Sequence, residues 1–259
     1  TEGIKFNPSA PVYFYISWPV SSGGLRMRDD ETFPGFPGDL FLFLQELSEN
    51  NNRDWFNERK DRYYASVADP VCDFVEAMRP RLQAISSHYV VDSRPHGGSM
   101  FRIYRDTRYT KDKRPYKENA GCQFRHEAGK DAHAAGFYVH IANNEIFFGG
   151  GVWTPPNSVL GKIRDAIVEQ PERWKKITRS RTFIQHFGSV HGDGLKRPPR
   201  GYDPDHPYIE DLKRKTFFAV QSGTRELATS PEFINEVTRA FKAASPLMAF
   251  LANALELPF

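Results

Sequence analysis

Apolar residues recur every three or four positions in the first third of the chain, which is typical of amphipathic helices. The spacing predicts helices over about 40–47, 53–66 and 70–86. Asp39 is expected to cap the first helix, and Asp69 to cap the third, with Pro70 at the first helical position. The first helix carries one apolar stripe of Leu40, Phe43, Leu44 and Leu47, and the second places Trp55, Phe56, Tyr63 and Tyr64 at helical spacing. The residues that the third helix is predicted to bury are Val71, Phe74, Val75, Met78 and Leu82.

The middle of the chain alternates between apolar and polar residues, which predicts strands over about 88–92, 100–104 and 120–125. Two further alternating runs, 136–142 and 145–149, flank Asn143-Asn144 and predict a hairpin that pairs His140 with Phe147. One face of this hairpin is wholly apolar and is therefore the expected core face. It carries Phe137, Val139, Ile141, Ile146 and Phe148. The other face is mixed, and it is either partly solvated or the floor of a pocket; it carries Tyr138, His140, Glu145 and Phe147.

The last part of the chain returns to helical spacing. Helices are predicted over 157–169 and 171–178, and a final strand over 216–221. Gly149–Gly151 is expected to leave the sheet, residues 179–208 to form a long ordered loop, and Pro246 to divide the C-terminal helix in two. Helices at both chain ends around a central, mostly antiparallel sheet predict one α+β domain over about 33–256. Residues 1–32 are predicted to be an N-terminal extension outside it.

The composition is that of a globular protein, with 39% apolar residues and a net charge of only +3. Cys72 and Cys122 are far apart and no Cys-x-x-Cys occurs, so neither a thiolate zinc site nor a redox pair is predicted. Two reduced thiols indicate a cytoplasmic protein. The uncharged stretch 6–25 contains three prolines and is not expected to cross a membrane. No metal or cofactor is predicted.

One segment concentrates positive charge. Residues 102–117 contain seven Lys or Arg against two Asp, with three Tyr interleaved. Such an excess predicts a surface that binds phosphates or carboxylates, because guanidinium groups match both with paired donors. The predicted anion-binding residues are Arg102, Arg105, Arg108, Lys111, Lys113 and Lys117, and the aromatic residues predicted to stack on a base or sugar are Tyr104, Tyr109 and Tyr116. The expected ligand is a phosphorylated metabolite or a nucleic acid. In the predicted strand before this segment, Phe101 and Ile103 would face the core.

Two other interpretations are open. In one, the protein is an enzyme of phosphoryl or acyl transfer, with Asp106 or Asp112 as base, His140 as proton shuttle and the arginines as clamps. In the other, Asp106 and Asp112 join the arginines in a structural salt-bridge lattice. Further basic patches lie in 173–181, 196–200 and 213–215, and they would suit a polyanion if they converge. The oligomeric state is not predicted.

Several runs of sequence resemble the domain of unknown function 2461 family, conserved hypothetical proteins found in bacteria and fungi. The matching runs are Asn50–Phe56, Phe101–Lys113 with Pro115–Lys117, Gly136–Tyr138 leading to Gly149–Gly151, Lys196–Gly201 and Asp205–Pro207. The resemblance covers about 33–256 and excludes 1–32. It implies a single domain, and it implies no established activity, cofactor or catalytic residue.

Overall fold

The computed structural model describes residues 33–129 and 133–259, so the predicted N-terminal extension lies outside the described residues. The helices are α1 Gly38–Glu49, α2 Arg53–Glu58, α3 Lys60–Tyr63, α4 Asp69–Gln83, α5 Asn157–Glu169, α6 Pro171–Thr178, α7 Arg181–Phe187, α8 Ile209–Leu212, α9 Arg225–Ala228 and α10 Glu232–Ala254. The strands are β1 Tyr89–Val90, β2 Asn119–His126, β3 Gly136–Ala142, β4 Ile146–Val152 and β5 Phe217–Ser222.

The strands form one antiparallel sheet in the order β1-β2-β3-β4-β5. The hairpin register is as predicted, with His140 opposite Phe147 and Tyr138 opposite Gly149. All five side chains of the predicted core face are buried. The α+β prediction is therefore confirmed, and the sheet has an inner face toward the core and an outer face that carries Tyr138 and His140.

Helices from both ends of the chain cover the inner face. α10 packs across β4 and also contacts α4, which itself contacts β2. The ring of Phe241 in α10 stacks on Phe137 at 4.5 Å between centroids. A Cβ atom at Gly150 would lie 2.7 Å from Met248 Sδ, so a glycine in β4 allows α10 to approach closely.

Two predicted helix boundaries are wrong. Asp69 does not cap α4, because a π-helical turn, Tyr64–Ala68, leads directly into that helix, whereas Pro70 lies in its first turn as predicted. Pro246 lies inside the continuous helix α10. Burial of an apolar stripe along the whole of α10 outweighs the loss of one backbone hydrogen bond. Asp39 is not a cap either, since its carboxylate accepts from Arg62 and Ser66.

Three other predictions are also corrected by the structure. Gly149–Gly151 remains inside β4, where it pairs with β5. The predicted loop 179–208 contains the helix α7. The strand predicted over 100–104 is reduced to isolated bridges, at Met100 with Cys122 and at Tyr104 with Tyr116. None of the helices in the described ranges combines the length and apolar character that crossing a bilayer requires.

Candidate functional site: the basic hairpin and the outer sheet face

Residues 102–117 form a short irregular hairpin, here called the basic hairpin. Its two arms are joined by backbone bonds from Arg105 N to Pro115 O and from Lys117 N to Ile103 O, both 2.8 Å. The base of the hairpin continues into β2 through Phe101 N, which donates to Gly121 O at 2.8 Å. The charged side chains are thus carried on a fixed backbone and not on a free loop.

The α1–α2 region anchors the second arm. The ring of Phe56 stacks on Tyr116 at 4.1 Å. Asn51 binds the backbone of Tyr116 twice, donating from Nδ2 to its carbonyl and accepting from its N–H, both at 3.0 Å. Asn52 caps α2 by accepting from Trp55 N at 3.0 Å. The run Asn50–Phe56 therefore has a positioning role toward the hairpin.

The three tyrosines have different environments. Tyr116 is 2% exposed beneath the hairpin, so the prediction that it stacks on a ligand is wrong. Tyr104 is 48% exposed and packs on Phe56 and Tyr116. Tyr109 is 91% exposed, with the Arg108 guanidinium 5.6 Å from its ring centroid. Only the last of them presents a largely open ring.

Intramolecular carboxylates hold the arginines at the tip of the hairpin. Arg108 pairs with Asp106 at 2.7 Å, and Asp112 accepts from both Arg105 and Arg114, each at 2.7 Å. The hydrogen bonds from Arg108 lower the pKa of Asp106 to about 2, and those from Arg114 and then Arg105 lower the pKa of Asp112 still further. Carboxylates with such low pKa values are weak general bases, which argues against a catalytic role for Asp106 or Asp112.

A local motif produces two of these pairs. In Asp106-Thr107-Arg108 and in Asp112-Lys113-Arg114, the arginine donates its backbone N–H and its Nε to the carboxylate two residues earlier. Asp92-Ser93-Arg94 repeats the arrangement, with backbone N–H and Nε bonds of 3.1 and 2.9 Å to Asp92. Asp-x-Arg is thus a self-pairing unit in this protein, and it is visible in the sequence.

The two lysines of the tip are exposed. Lys113 Nζ donates to the carbonyl of Thr107 at 2.8 Å. Lys111 forms no ion pair or side-chain hydrogen bond within 33–129 and 133–259. The predicted set of six cations is therefore divided between paired arginines, exposed lysines and a third group at the base.

That third group surrounds Phe101, and we call Phe101, Arg102, Lys117 and Arg125 the Phe101 cluster. Phe101 is not in the core as predicted but half-buried on the outer sheet face. Lys117 Nζ lies 5.1 Å and Arg125 Cζ 6.0 Å from its ring centroid. Burial, and next the charge of Arg102, lower the pKa of Lys117 to about 8.

Two cations of the Phe101 cluster, Lys117 and Arg125, have no acidic partner among the described residues, whereas Arg102 lies close enough to Asp106 to help lower the pKa of that carboxyl. Arg125 donates to the neutral Gln123 at 3.0 Å, and no carboxylate of the described residues lies within ion-pair distance of Lys117 or Arg125. Arg102 and Lys117 were among the predicted residues, whereas Arg125 was not. The alternation along β2 could have identified Arg125, because it places Gln123 and Arg125 on the same outward face.

A second polar group lies on the same face of the sheet. Tyr138 Oη is 3.1 Å from His140 Nδ1, and His140 Nε2 is 3.8 Å from Glu145 Oε2. The imidazole stacks on Phe147 at 4.5 Å. Burial lowers the pKa of His140 to about 4 and raises the pKa values of Tyr138 and Glu145, so all three groups resist acquiring charge.

One aromatic contact links the Phe101 cluster to the polar group that contains Tyr138 and His140. The ring centroids of Phe101 and Tyr138 are 5.9 Å apart. His140 forms no hydrogen bond or ion pair with Asp106 or Asp112. The outer face therefore combines Lys117 and Arg125, which have no carboxylate partner among the described residues, with a neutral Tyr138–His140 pair, and this arrangement can attract an anion and hold a proton beside it. Among the described residues, no group of three His, Cys, Asp or Glu side chains is arranged to hold a metal ion.

A family model matches most of the chain. The family model for Conserved hypothetical protein (DUF2461) matches residues 39–250. No curated protein and no solved structure matches the chain.

Proposed function

The chain belongs to the DUF2461 family of conserved hypothetical proteins, and we propose that it binds a small phosphate- or carboxylate-bearing ligand at the Phe101 cluster. The ligand would be held by Lys117 and Arg125, with Arg102 adding positive charge and the rings of Phe101 and Tyr138 forming an apolar border.

The observation that carries the proposal is the environment of Lys117. Its amine is half-buried beside an aromatic ring and a like charge, and no carboxylate of the described residues compensates it. A buried charge without a partner destabilises a fold, so such groups are typical of sites where a ligand supplies the missing charge. An anion within contact distance would neutralise Lys117 and relieve its repulsion from Arg102.

The geometry favours a small ligand. The exposed arginines of the tip, which a large polyanion would meet first, already have carboxylate partners. Lys117 lies at the base of the basic hairpin, where its backbone bonds to Ile103 and its side chain turns toward Phe101. A compact anion reaches such a position, and the border of Phe101 and Tyr138 suits an apolar or planar group attached to it.

A thermal-shift titration with inorganic pyrophosphate tests the proposal. Pyrophosphate should raise the Tm of the wild-type protein and of Lys113→Met, whose lysine is exposed at the tip, but not the Tm of Lys117→Met. The effect should weaken above about pH 8, where Lys117 loses its proton. Equal shifts in both lysine variants, or no shift in the wild type, would contradict the proposal.

A second candidate function, acid–base catalysis of phosphoryl or acyl transfer, is favoured by the Tyr138–His140–Glu145 arrangement. A neutral imidazole that accepts from Tyr138 at Nδ1 carries its proton on Nε2, toward Glu145. This candidate predicts slow hydrolysis of p-nitrophenyl phosphate or acetate that His140→Gln abolishes. Hydrolysis that survives His140→Gln unchanged would remove it.

We also infer a cytoplasmic location. Cys72 and Cys122 are both free thiols, as expected in a reducing compartment. Fractionation of cells that express the tagged full-length protein tests this inference.

A further inference from the structure

A second basic surface lies on α6 and α7, away from the basic hairpin in sequence. We call it the α6–α7 basic face; its cations are Arg173, Lys175, Lys176, Arg179 and Arg181, all of them exposed. Glu172 is the one acidic residue in 172–181. The segment therefore carries a local excess of four positive charges, and none of them belongs to the Phe101 cluster.

The fold turns these cations outward on rigid helices. Trp174 is fully buried and donates from Nε1 to Asp211 at 2.8 Å, which fixes the orientation of α6. Phe183 and Phe187 bury the opposite side of α7, and Ser180 caps that helix by accepting from Phe183 N at 3.2 Å. With the aromatic residues inside, the basic residues have no alternative to the solvent side.

The positive charges of this face are largely uncompensated. Lys176, Arg179 and Arg181 form no ion pair and no side-chain hydrogen bond within the described part of the chain. Lys175 approaches the highly exposed Glu172 only at 3.6 Å, and Arg173 donates to the neutral Gln170. Exposed ion pairs of this kind contribute little to the stability of a protein. No Asp-x-Arg unit occurs in this segment, in contrast to the basic hairpin.

Two shallow, open depressions of the surface share Arg179. One is lined by Arg179, Arg181, Ile184 and Gln185, and the other by Glu172, Lys175, Lys176, Arg179 and Ser180. The surface is therefore continuous from α6 to α7, with Arg179 at its centre. A helix of the length of α6 extends about 12 Å, a distance over which a duplex presents roughly seven phosphates.

We propose that the α6–α7 basic face binds the phosphodiester backbone of a nucleic-acid duplex. The excess of positive charge on this face is complementary to a polyanion. The residue types of the face then distinguish a duplex from a single strand and from a lipid surface. Trp174 and Phe183 are buried, so the face offers no ring on which the bases of a single strand could stack. Ile184 is its one exposed large apolar side chain, which is too little apolar surface for insertion into a lipid headgroup layer.

Fluorescence anisotropy with a labelled DNA duplex of about 20 base pairs tests this proposal, at salt concentrations from about 50 to 200 mM. The wild type should bind with a negative slope of log affinity against log salt. Arg179→Glu with Arg181→Glu should weaken binding at least about tenfold and make the slope shallower by roughly two. The matched control is Lys111→Glu with Lys113→Glu, which changes net charge equally on the basic hairpin and should keep affinity within about threefold of wild type.

Four outcomes would overturn the proposal: no duplex binding by the wild type, equal loss in both charge-reversal variants, tighter binding of a single strand of equal length, or binding to vesicles of anionic phospholipid with none to duplex. An RNA duplex run in parallel distinguishes backbone recognition common to both nucleic acids from a preference for one. Because the Lys117→Met variant leaves this face intact, its duplex binding should equal that of wild type. The two proposals can therefore fail independently.

Discussion

Residues 102–117 and residues 172–181 are both rich in Lys and Arg, but the structure uses their charge differently. In the basic hairpin, Arg105, Arg108 and Arg114 each have a carboxylate partner at 2.7 Å. In the α6–α7 basic face, Arg179 and Arg181 have no carboxylate partner among the described residues. The segment with more positive charge therefore leaves fewer guanidinium groups available.

The position of the acids explains the difference. An aspartate two residues before an arginine accepts both its backbone N–H and its side-chain donors, so the pair closes locally without help from the rest of the fold. The α6–α7 basic face has Glu172 at the start of a helix, where it reaches Lys175 only loosely. The spacing of opposite charges is thus a better guide to an available cation than net charge.

Within the basic hairpin the same contrast holds between tip and base. The tip contains Asp106 and Asp112, which pair with its arginines, whereas the base joins the Phe101 cluster, where no acid contacts Lys117.

The largest expected effect comes from removing the anchor of the hairpin. Phe56→Ala should lower the free energy of unfolding by about 3–4 kcal/mol, because the ring is 1% exposed and stacks on Tyr116. Ile184→Ala on the α6–α7 basic face, where the side chain is half exposed, should change it little. Urea denaturation measures both. A loss below about 1 kcal/mol in Phe56→Ala would show that the hairpin is held by other contacts.

Replacing Lys117 should raise the free energy of unfolding, whereas Phe56→Ala should lower it. Since the pKa of Lys117 in the folded protein is near 8, below its unfolded value of 10.5, the charged amine costs stability below about pH 8. That cost disappears as pH rises toward 10.5, so wild-type stability should increase over this window. Lys117→Met should therefore be more stable at pH 7 by about 2 kcal/mol, and the gain should shrink with rising pH. Lys113→Met should show no such gain. A destabilised Lys117→Met would indicate an attractive partner for this amine.

Removing carboxylate partners from the tip arginines should enable the basic hairpin to bind a nucleic-acid duplex, as we propose for the α6–α7 basic face. Asp106→Asn with Asp112→Asn removes the carboxylates that hold Arg105 and Arg108, and one of the two that hold Arg114, which keeps Glu118. Introduced into the Arg179→Glu, Arg181→Glu background, this change should strengthen duplex binding roughly tenfold in the anisotropy assay. Unchanged affinity would mean that self-pairing is not what keeps the tip from binding polyanions.

The smallest expected effect is a difference in stability between variants of two arginines of the tip. The side chain of Arg105 is 13% exposed and that of Arg108 is 67% exposed. Arg105→Gln should destabilise the protein by about 1 kcal/mol, whereas Arg108→Gln should not shift the urea midpoint measurably. Marked unfolding of both variants would instead support the interpretation of the whole run as a structural lattice.

Much of the fold was predictable because it depends on local periodicity. The buried stripes of α1, α4 and α5 and the register of the β3–β4 hairpin follow from apolar spacing and from a two-residue turn. Predictions based on a single proline or aspartate were less successful, as Pro246, Asp69 and Asp39 show. At those positions, packing over many residues outweighed one local preference.

The candidate site was predicted only in part. Lys117 and Arg102 were identified by charge, but nothing local marks Lys117 as different from Lys113. Tyr116 was misjudged because Phe56 and Asn51, which bury and hold it, come from a distant part of the chain. Arg125 belongs to β2, and the backbone hydrogen bond from Phe101 to Gly121 of that strand brings the Phe101 ring beside it.

The sequence by itself determined the α+β architecture, the core face of the sheet and the self-pairing of Asp-x-Arg, because each depends on residues a few positions apart. The tertiary structure alone decided which cations remain without a carboxylate partner. Burial and the presence of acids around Lys117, Arg125 and Arg179 depend on segments far apart in the chain. The electrostatic energy of a charge depends on its distance from other charges and on its burial. The fold sets both, and the local sequence does not specify them.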